Sequence, residues 1–228
     1  MLPNGKIVES IYKEDVIGYA PTDAILIDCS TIDVATARAV ADFAGNQGYA
    51  MVDAPVSGGI AAANAGSLTF MVGGAHDDFQ RAELILAAMG KAVIHAGQSG
   101  AGQAAKICNN MLLGASMIAT AETFAMAEKL GLDLQTFYDI SSKASGQSWS
   151  MTSYCPVPGV GPASPADNDY QNGFATALML KDLKLAMEAA ESVGAQTPMG
   201  KRAAELYQAF ADAGSGPLDF SAIIKTLK

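Results

Sequence analysis

The pattern of apolar residues changes near residue 97, and this change limits the folds open to the chain. From Ala24 to Ile94 short apolar runs alternate with stretches of helical periodicity, which is typical of a layered α/β arrangement. After Gly100 no segment has period-two alternation or a β-branched run, so only helices and loops are expected there. The sequence therefore predicts an α/β part over 1–96 and an all-α part over 97–228.

The same periodicities predict the individual elements. The run from Gln103 to Leu130 has 28 residues and no proline, which predicts one long, largely buried helix that ends at Gly131. The segment 143–173 is rich in proline and glycine and predicts a long loop without regular structure. Strands are expected near 24–28, 50–53, 67–72 and 92–95, and further helices over 33–47, 77–89, 133–142, 174–193, 198–213 and 219–227.

Composition excludes several classes of protein. The formal net charge is −9, so the chain has no surplus of positive charge with which to bind nucleic acid or an anionic membrane. No apolar run is long enough to cross a bilayer. The three cysteines are odd in number and lack metal-ligand spacing, which predicts reduced thiols, no metal site and a cytoplasmic location.

The junction between the two parts carries a glycine motif, Gly100-Ala101-Gly102-Gln103-Ala104-Ala105, which fits the dinucleotide-binding pattern G-x-G-x-x-A. A true βαβ unit needs a second strand with an acidic residue after the helix, and no strand pattern follows here. We therefore expect the glycines to form a tight turn into the long helix.

Lys106 and Asn110 follow this turn at positions i and i+4, on one face of the predicted helix. Burial lowers the pKa of a lysine, so such a lysine can exchange a proton with a substrate as a general acid and base. The alternative is a lysine whose amine extends to solvent. Spacing alone leaves both open.

Several motifs in order resemble the β-hydroxyacid dehydrogenase family, whose members oxidise 3-hydroxy acids with a nicotinamide cofactor. They are DCSTID, DAPVSGG, the run GxGxxxKxxNN that contains Lys106, and then PVPGV, NDY, GF and LMLKDLKLA. The resemblance covers essentially all 228 residues. It implies the remaining part of a Rossmann-type NAD-binding domain, followed by an all-α C-terminal domain with one long central helix, in a dimer or tetramer.

The resemblance also implies a role for individual residues. Lys106 is the implied catalytic acid/base, and Asn110 is expected to position it with the substrate. The implied substrate-binding residues are Ser57, Gly58 and Gly59, which would hold a carboxylate through backbone N–H groups, and Trp149 and Phe174, which would wall the pocket. The implied cofactor-binding residues are Leu2, Pro3, Thr31 and Lys181.

Several of these residues also have a structural alternative. Ser57–Gly59 can be an ordinary strand-end turn, and Thr31 can simply cap a helix. Lys181 can be a surface lysine, with Asp182 placed to pair with it or to cap. The aromatic residues Trp149 and Phe174 can belong to the core.

Within the family, the later motifs are most similar to members that oxidise 3-hydroxyisobutyrate to methylmalonate semialdehyde with NAD in valine breakdown. One alternative is reduction of tartronate semialdehyde or another short semialdehyde. Another is a noncatalytic helical dimerisation module. Family members also have a glycine-rich GxGxMG turn, which has no match here, so we expect a C-terminal portion that binds NAD weakly or not at all.

Overall fold

The computed structural model describes residues 1–227, which form two compact units, one over Met1–Cys108 and the other from Asn109 onwards. The first unit has alternating helices and strands. In chain order these are α1 (Gly5–Ile11), β1 (Ile25–Asp28), α2 (Val34–Asn46), β2 (Ala50–Asp53), β3 (Val56–Ser57), α3 (Gly59–Asn64), β4 (Leu68–Gly73), α4 (His76–Leu86) and β5 (Gly90–Gly97).

The strands of residues 1–227 form one mixed five-stranded sheet with β2 beside β1 and β4 beside β2, β3 and β5. The pairs β1–β2 and β4–β5 are parallel, and β4 runs antiparallel to β2 and β3. The predicted strands are therefore confirmed. Strand β3 was missed because its two residues are too short to show an alternation.

Helices cover both faces of this sheet. Successive residues of a strand point to opposite faces, and Met51 and Val52 of β2 accordingly belong to different apolar clusters. Met51 packs with Val8 of α1 and Val40 of α2, whereas Val52 packs with Leu86 of α4. The predicted α/β layer is thus a sheet buried on both sides, as Rossmann-like folds require.

The second unit is built from helices. Within residues 109–227 all regular structure is helical apart from an isolated bridge between Ala175 and Asp219. Helix α5 (Ala101–Lys129) begins in the first unit, and its remaining residues belong to the second. The other helices are α6 (Leu134–Ser141), α7 (Trp149–Thr152), α8 (Thr176–Ser192) and α9 (Pro198–Phe210), with a π turn at Ala211–Ser215 and a 3-10 helix at Phe220–Thr226. Within residues 1–227, no helix combines the length and the apolar character that a membrane span needs.

Two segments whose composition favours turns or loops contain short helices. Pro3-Asn4-Gly5 has a turn-like composition, yet the Asn4 side chain accepts a hydrogen bond from the Ile7 backbone N–H and starts helix α1. The predicted loop 143–173 contains α7 and a 3-10 turn at Pro165–Asn168, so the prediction of no regular structure was wrong at these two places. All three short helices begin after an Asn or Ser side chain, namely Asn4, Ser148 or Ser164. These residue types favour both turns and helix caps.

The glycine motif forms the turn from β5 into α5. Gly100 has a φ of 83°, which favours glycine, and the Asp53 carboxylate accepts hydrogen bonds from the backbone N–H groups of Gly100 (2.6 Å) and Gln103 (2.9 Å). A Cβ on Gly102 would overlap the Met71 carbonyl oxygen and approach the Asp53 carboxylate within 2.8 Å. Gly102 therefore lets the start of α5 pack directly on the sheet.

The close approach at Gly102 predicts a loss of stability when a methyl group is added. Gly102→Ala should lower the free energy of unfolding by about 1–3 kcal/mol, because backbone atoms of two strands must move. Gly45→Ala is the matched control: Gly45 lies within α2 with open space around it and should gain about 0.5–1 kcal/mol from helix propensity. Urea unfolding measures both, and equal effects of the two variants would contradict the packing argument.

Asp53 predicts a pH dependence of stability. Burial, and then the charge of Asp28, raise the pKa of the Asp53 carboxyl, while the Gly100 and Gln103 N–H bonds oppose this shift. The folded state therefore binds this proton more tightly than the unfolded state, and its stability falls as pH rises from the ordinary Asp value through the raised one. Asp53→Asn should remove that fall, so its stability relative to the parent should increase with pH.

Asp133→Asn supplies a control of opposite sign. Hydrogen bonds from the Thr136 backbone N–H and then its hydroxyl lower the pKa of the Asp133 carboxyl, which caps α6. Its stabilising contribution is present above the ordinary Asp pKa and is lost as pH falls through the lowered one. The stability of Asp133→Asn relative to the parent should therefore decrease with pH in urea titrations. If the stability of both variants relative to the parent changed with pH in the same direction, the raised pKa of Asp53 would be contradicted.

Candidate active site

A glycine turn follows strand β3 at Ser57-Gly58-Gly59. Gly58 and Gly59 have φ values of 132° and 66°, in the region that favours glycine, and a Cβ on Gly58 would lie 2.5 Å from the Ala62 side chain. Consecutive backbone N–H groups in turns of this kind make a concave site for an anion. The half-buried Ser57 hydroxyl precedes them, so this turn suits a carboxylate.

Lys106 lies beside this turn. Its side chain is buried, with 7% of its surface exposed, and its Nζ donates a 2.7 Å hydrogen bond to the Val56 carbonyl oxygen, one residue before Ser57. A buried amine needs such a partner to offset its lost hydration. The amine is therefore held against the strand that leads into the glycine turn, rather than extended into solvent.

The carboxyl end of β1 carries a buried polar network. The Ser30 N–H and hydroxyl donate to the Asp28 carboxylate at 3.0 and 2.5 Å, and the Leu2 N–H donates to the Ser30 hydroxyl at 2.7 Å. The Gln103 amide donates to the Ser30 carbonyl and accepts from the Ile32 N–H. Leu2 and the 30–32 loop are thus brought together, although they lie 28 residues apart in sequence.

These two regions differ in their fit to a dinucleotide. The Gly100 and Gln103 N–H groups, which a pyrophosphate would need, donate to the Asp53 carboxylate, whose charge would also repel phosphate. The turn before α5 therefore does not fit the pyrophosphate. Ligands of open α/β sheets bind beyond the carboxyl ends of strands, and Leu2, Pro3 and Thr31 lie at that end of β1.

In the second unit Asn110 is buried and bound to Asp182. The Asn110 Nδ2 donates to the Asp182 carboxylate at 2.5 Å, and the Asn110 Oδ1 accepts from the Asn109 amide at 2.9 Å. The Asp182 side chain is 4% exposed and lies on α8 next to the half-buried Lys181. Asp182 therefore orients Asn110, and its pairing with or capping near Lys181 stays a prediction.

The long loop presents the predicted pocket aromatics. Trp149 is 51% exposed, and its indole stacks on the Tyr154 ring with centroids 4.8 Å apart. Phe174 is half-buried and packs edge-on against Phe220 at 5.8 Å. The NDY motif includes left-handed backbone at Asp169 and Tyr170, with φ values of 49° and 60°. Non-glycine residues in this region mark segments whose conformation the surroundings enforce.

Sequence reasoning missed residues that hold the others in place. Asp53, Ser30 and Gln103 are all buried and bind the loops and the helix start near Lys106. A polar residue at the end of a predicted strand was the available signal for Asp53. No pattern pointed to Gln103, because a helical glutamine in an apolar segment has no distinctive spacing.

Two family models match the chain end to end. The model described as NAD binding domain of 6-phosphogluconate dehydrogenase matches residues 1–97, and NAD-binding of NADP-dependent 3-hydroxyisobutyrate dehydrogenase matches residues 100–227. Both are NAD-binding families, which confirms the prediction of a nicotinamide-dependent oxidoreductase.

Individual relatives agree with these models. A probable 3-hydroxyisobutyrate dehydrogenase of Mycobacterium tuberculosis is 49% identical over 228 residues, which are 100% of this chain and 77% of the relative. An NAD-dependent L-serine dehydrogenase of Pseudomonas aeruginosa is 43% identical over 99% of this chain and 76% of the relative.

A solved structure extends the agreement to the fold. The Mycobacterium tuberculosis 3-hydroxyisobutyrate dehydrogenase, described with L-serine, has a TM-score of 0.95 at 49% identity and covers 100% of this chain and 78% of its own. The sheet, the long helix and the helical second unit thus recur together in an enzyme of closely similar sequence. The chain belongs to the β-hydroxyacid dehydrogenase family, with the 3-hydroxyisobutyrate dehydrogenases as its matched relatives.

Proposed function

We propose that this protein oxidises 3-hydroxyisobutyrate to methylmalonate semialdehyde with NAD, as a step of valine breakdown. The observation that carries this proposal is the hydrogen bond from the Lys106 amine to the Val56 carbonyl, beside the Ser57–Gly59 turn. A proton-exchanging group and a carboxylate-binding turn next to each other match a substrate with a hydroxyl and a carboxylate. The relatives named as 3-hydroxyisobutyrate dehydrogenases support the choice of substrate.

The chain's own residues divide the chemistry between them. The Ser57 hydroxyl and the backbone N–H groups of Gly58 and Gly59 bind the substrate carboxylate and orient its C3 hydroxyl. In its neutral form the Lys106 amine accepts the hydroxyl proton as the carbonyl forms, and it returns a proton in the reverse direction. Asn110, held by Asp182 and one helical turn after Lys106, positions substrate and amine.

The remaining site residues bind the cofactor and enclose the substrate. Leu2, Pro3, Thr31 and Lys181 would hold NAD, which when bound would supply the hydride acceptor for oxidation at C3 of the hydroxy acid. Trp149 and Phe174 would form the wall that excludes water from the substrate methyl group. A homo-oligomer, which the family implies, and a cytoplasmic location, which the odd number of cysteines without metal-ligand spacing indicates, are further proposals.

L-Serine is the second candidate substrate. A relative 43% identical to this chain is named as an NAD-dependent L-serine dehydrogenase, and the matched solved structure is described with L-serine. Both candidates carry a carboxylate and a primary alcohol and differ in a methyl group against an ammonium group. The exposed apolar indole of Trp149 favours the methyl-bearing acid.

Lys106→Met should nearly abolish turnover and leave NAD binding unchanged. Because the chain spans 77% of the Mycobacterium relative, the assay uses a hybrid in which that relative supplies the rest of its length. Loss of the general acid/base should lower kcat/KM for 3-hydroxyisobutyrate by about a thousandfold. NADH formation at its absorbance band measures turnover, and quenching of protein fluorescence measures NAD binding.

Lys91→Met is the matched control, since Lys91 is an exposed lysine of β5 in the same unit. It should retain full turnover. A Lys106→Met hybrid that keeps more than about a tenth of the parent kcat/KM would rule out the proton-exchange role.

Ser57→Ala should weaken recognition of the substrate carboxylate. Loss of one hydrogen bond to a charged group should raise KM for 3-hydroxyisobutyrate by about tenfold, with a smaller change in kcat. The neutral amide of the same acid should bind equally poorly to both proteins, so the preference for acid over amide should fall in the variant.

Ser67→Ala provides the comparison for this change. Ser67 is also half-buried and sits near the other end of α3, where its hydroxyl donates to the Ala62 carbonyl at 3.4 Å. It should leave the preference for acid over amide unchanged. If Ser57→Ala kept the parent preference for acid over amide, the Ser57 hydroxyl would not bind the substrate carboxylate.

A further inference from the structure

The carboxylate of Asp219 lies at the centre of the aromatic loop of the second unit. Asp219 is 1% exposed and stands just before the 3-10 helix Phe220–Thr226. Its Oδ2 accepts hydrogen bonds from the Tyr154 hydroxyl at 2.8 Å and from the Phe174 backbone N–H at 2.7 Å. Its Oδ1 accepts from the Ser221 N–H at 2.9 Å and from the Ser221 hydroxyl at 2.5 Å. One side chain thus binds both ends of the segment from Tyr154 to Phe174.

The backbone around Asp219 is tied to the same segment. The Asp219 N–H donates to the Tyr170 carbonyl at 2.8 Å, and a β-bridge joins Asp219 to Ala175. A Cβ on Gly173 would overlap the Asp219 carboxylate, so glycine is needed for this approach. The position of the carboxylate is therefore fixed by contacts on several sides.

Through Tyr154 this carboxylate reaches the exposed indole. The Tyr154 ring stacks on Trp149 with an interplanar angle of 22° and lies 5.5 Å from the Phe220 ring. Trp149 is 51% exposed, and the stack on Tyr154 restrains the plane of its indole. The hydroxyl of Tyr154, by holding the ring, also fixes the plane on which the indole rests.

The Tyr154 hydroxyl is well suited to donate a hydrogen bond to the Asp219 carboxylate. Burial, and then the negative charge of Asp219, raise the pKa of the Tyr154 hydroxyl, so it stays protonated and donates at all physiological pH values. A hydrogen bond from a neutral donor to a buried carboxylate is among the stronger ones in proteins. The contact is therefore strong enough to set the position of an aromatic ring.

We propose that Asp219 is a positioning residue for substrate selection, which holds Trp149 through Tyr154 and holds Phe174 through its backbone. The carboxylate makes one rigid wall from two aromatic residues that are far apart in sequence. This inference rests on the proposed function, because it takes Trp149 and Phe174 as the wall of the substrate pocket. It assigns to Asp219 no direct contact with the reacting atoms.

The single tryptophan makes the first part of this inference directly measurable in the chain itself. Tyr154→Phe removes the hydroxyl and keeps the ring, and Asp219→Asn removes the charge and one acceptor. Both should raise the acrylamide quenching constant of Trp149 fluorescence and lower its anisotropy. Tyr170→Phe is the matched control, since its hydroxyl donates to the Pro156 carbonyl in the same loop. It should leave both signals unchanged.

The second part is tested in the hybrid enzyme with 3-hydroxyisobutyrate and L-serine. Tyr154→Phe and Asp219→Asn should raise KM for 3-hydroxyisobutyrate about fivefold and reduce its preference over L-serine, with kcat and NAD binding nearly unchanged. Trp149→Leu should give the same loss of preference for 3-hydroxyisobutyrate over L-serine. Adding Tyr154→Phe to Trp149→Leu should not change this preference further.

The outcomes separate the inference from the proposed function. A purely structural Asp219 would lower the unfolding midpoint but leave Trp149 quenching and substrate preference at parent values, and this result would overturn the inference. Altered quenching with an unaltered preference would overturn it as well, while catalysis by Lys106 would stand. A parent hybrid without turnover of either substrate would overturn the proposed function, whereas the fluorescence result would still report the link from Asp219 to Trp149.

Discussion

The first unit depends on the hydrogen bonds between the Asp53 carboxylate and the start of helix α5. Four N–H groups at a helix start have no partner within the helix, and here a buried carboxylate at the end of β2 satisfies those of Gly100 and Gln103. The helix dipole adds a favourable interaction with the negative charge. Lys106 lies one turn after this cap on α5. Because Asp53 fixes the start of the helix on the sheet, it also helps to fix the position of the Lys106 amine.

The second unit depends on an analogous arrangement. There Asp219 holds two distant parts of a loop, and Asp182 holds the amide of Asn110. In each case a buried carboxylate is surrounded by donors from segments far away in sequence. Such groups contribute modestly to net stability, because burial of a charge is costly, but they select one arrangement of the loops around them. The selected arrangement here fixes the Asn110 amide and the Tyr154 ring.

Much of the architecture could be predicted from the sequence because it follows from periodicity. Strands β1, β2, β4 and β5 and the limits of α5 to within two residues are local consequences of residue pattern. The candidate site could be predicted only in part. Lys106 and Ser57 were identified from motifs, whereas Asp53, Gln103 and Asp219 act through partners 45 to 73 residues away, which no local pattern encodes.

The capped glycine turn also bears on how phosphate-binding motifs are identified. Gly100-Ala101-Gly102 has the glycines, the preceding strand and the following helix of a dinucleotide site, yet its N–H groups already bind a carboxylate. An internal carboxylate and an external anion compete for the same donors, and the chain itself holds the internal one in place. An acidic residue at the end of the neighbouring strand, directed at the helix start, therefore indicates that the N–H groups of a glycine-rich turn already have a partner within the protein. This feature distinguishes a structural turn from a nucleotide-binding one.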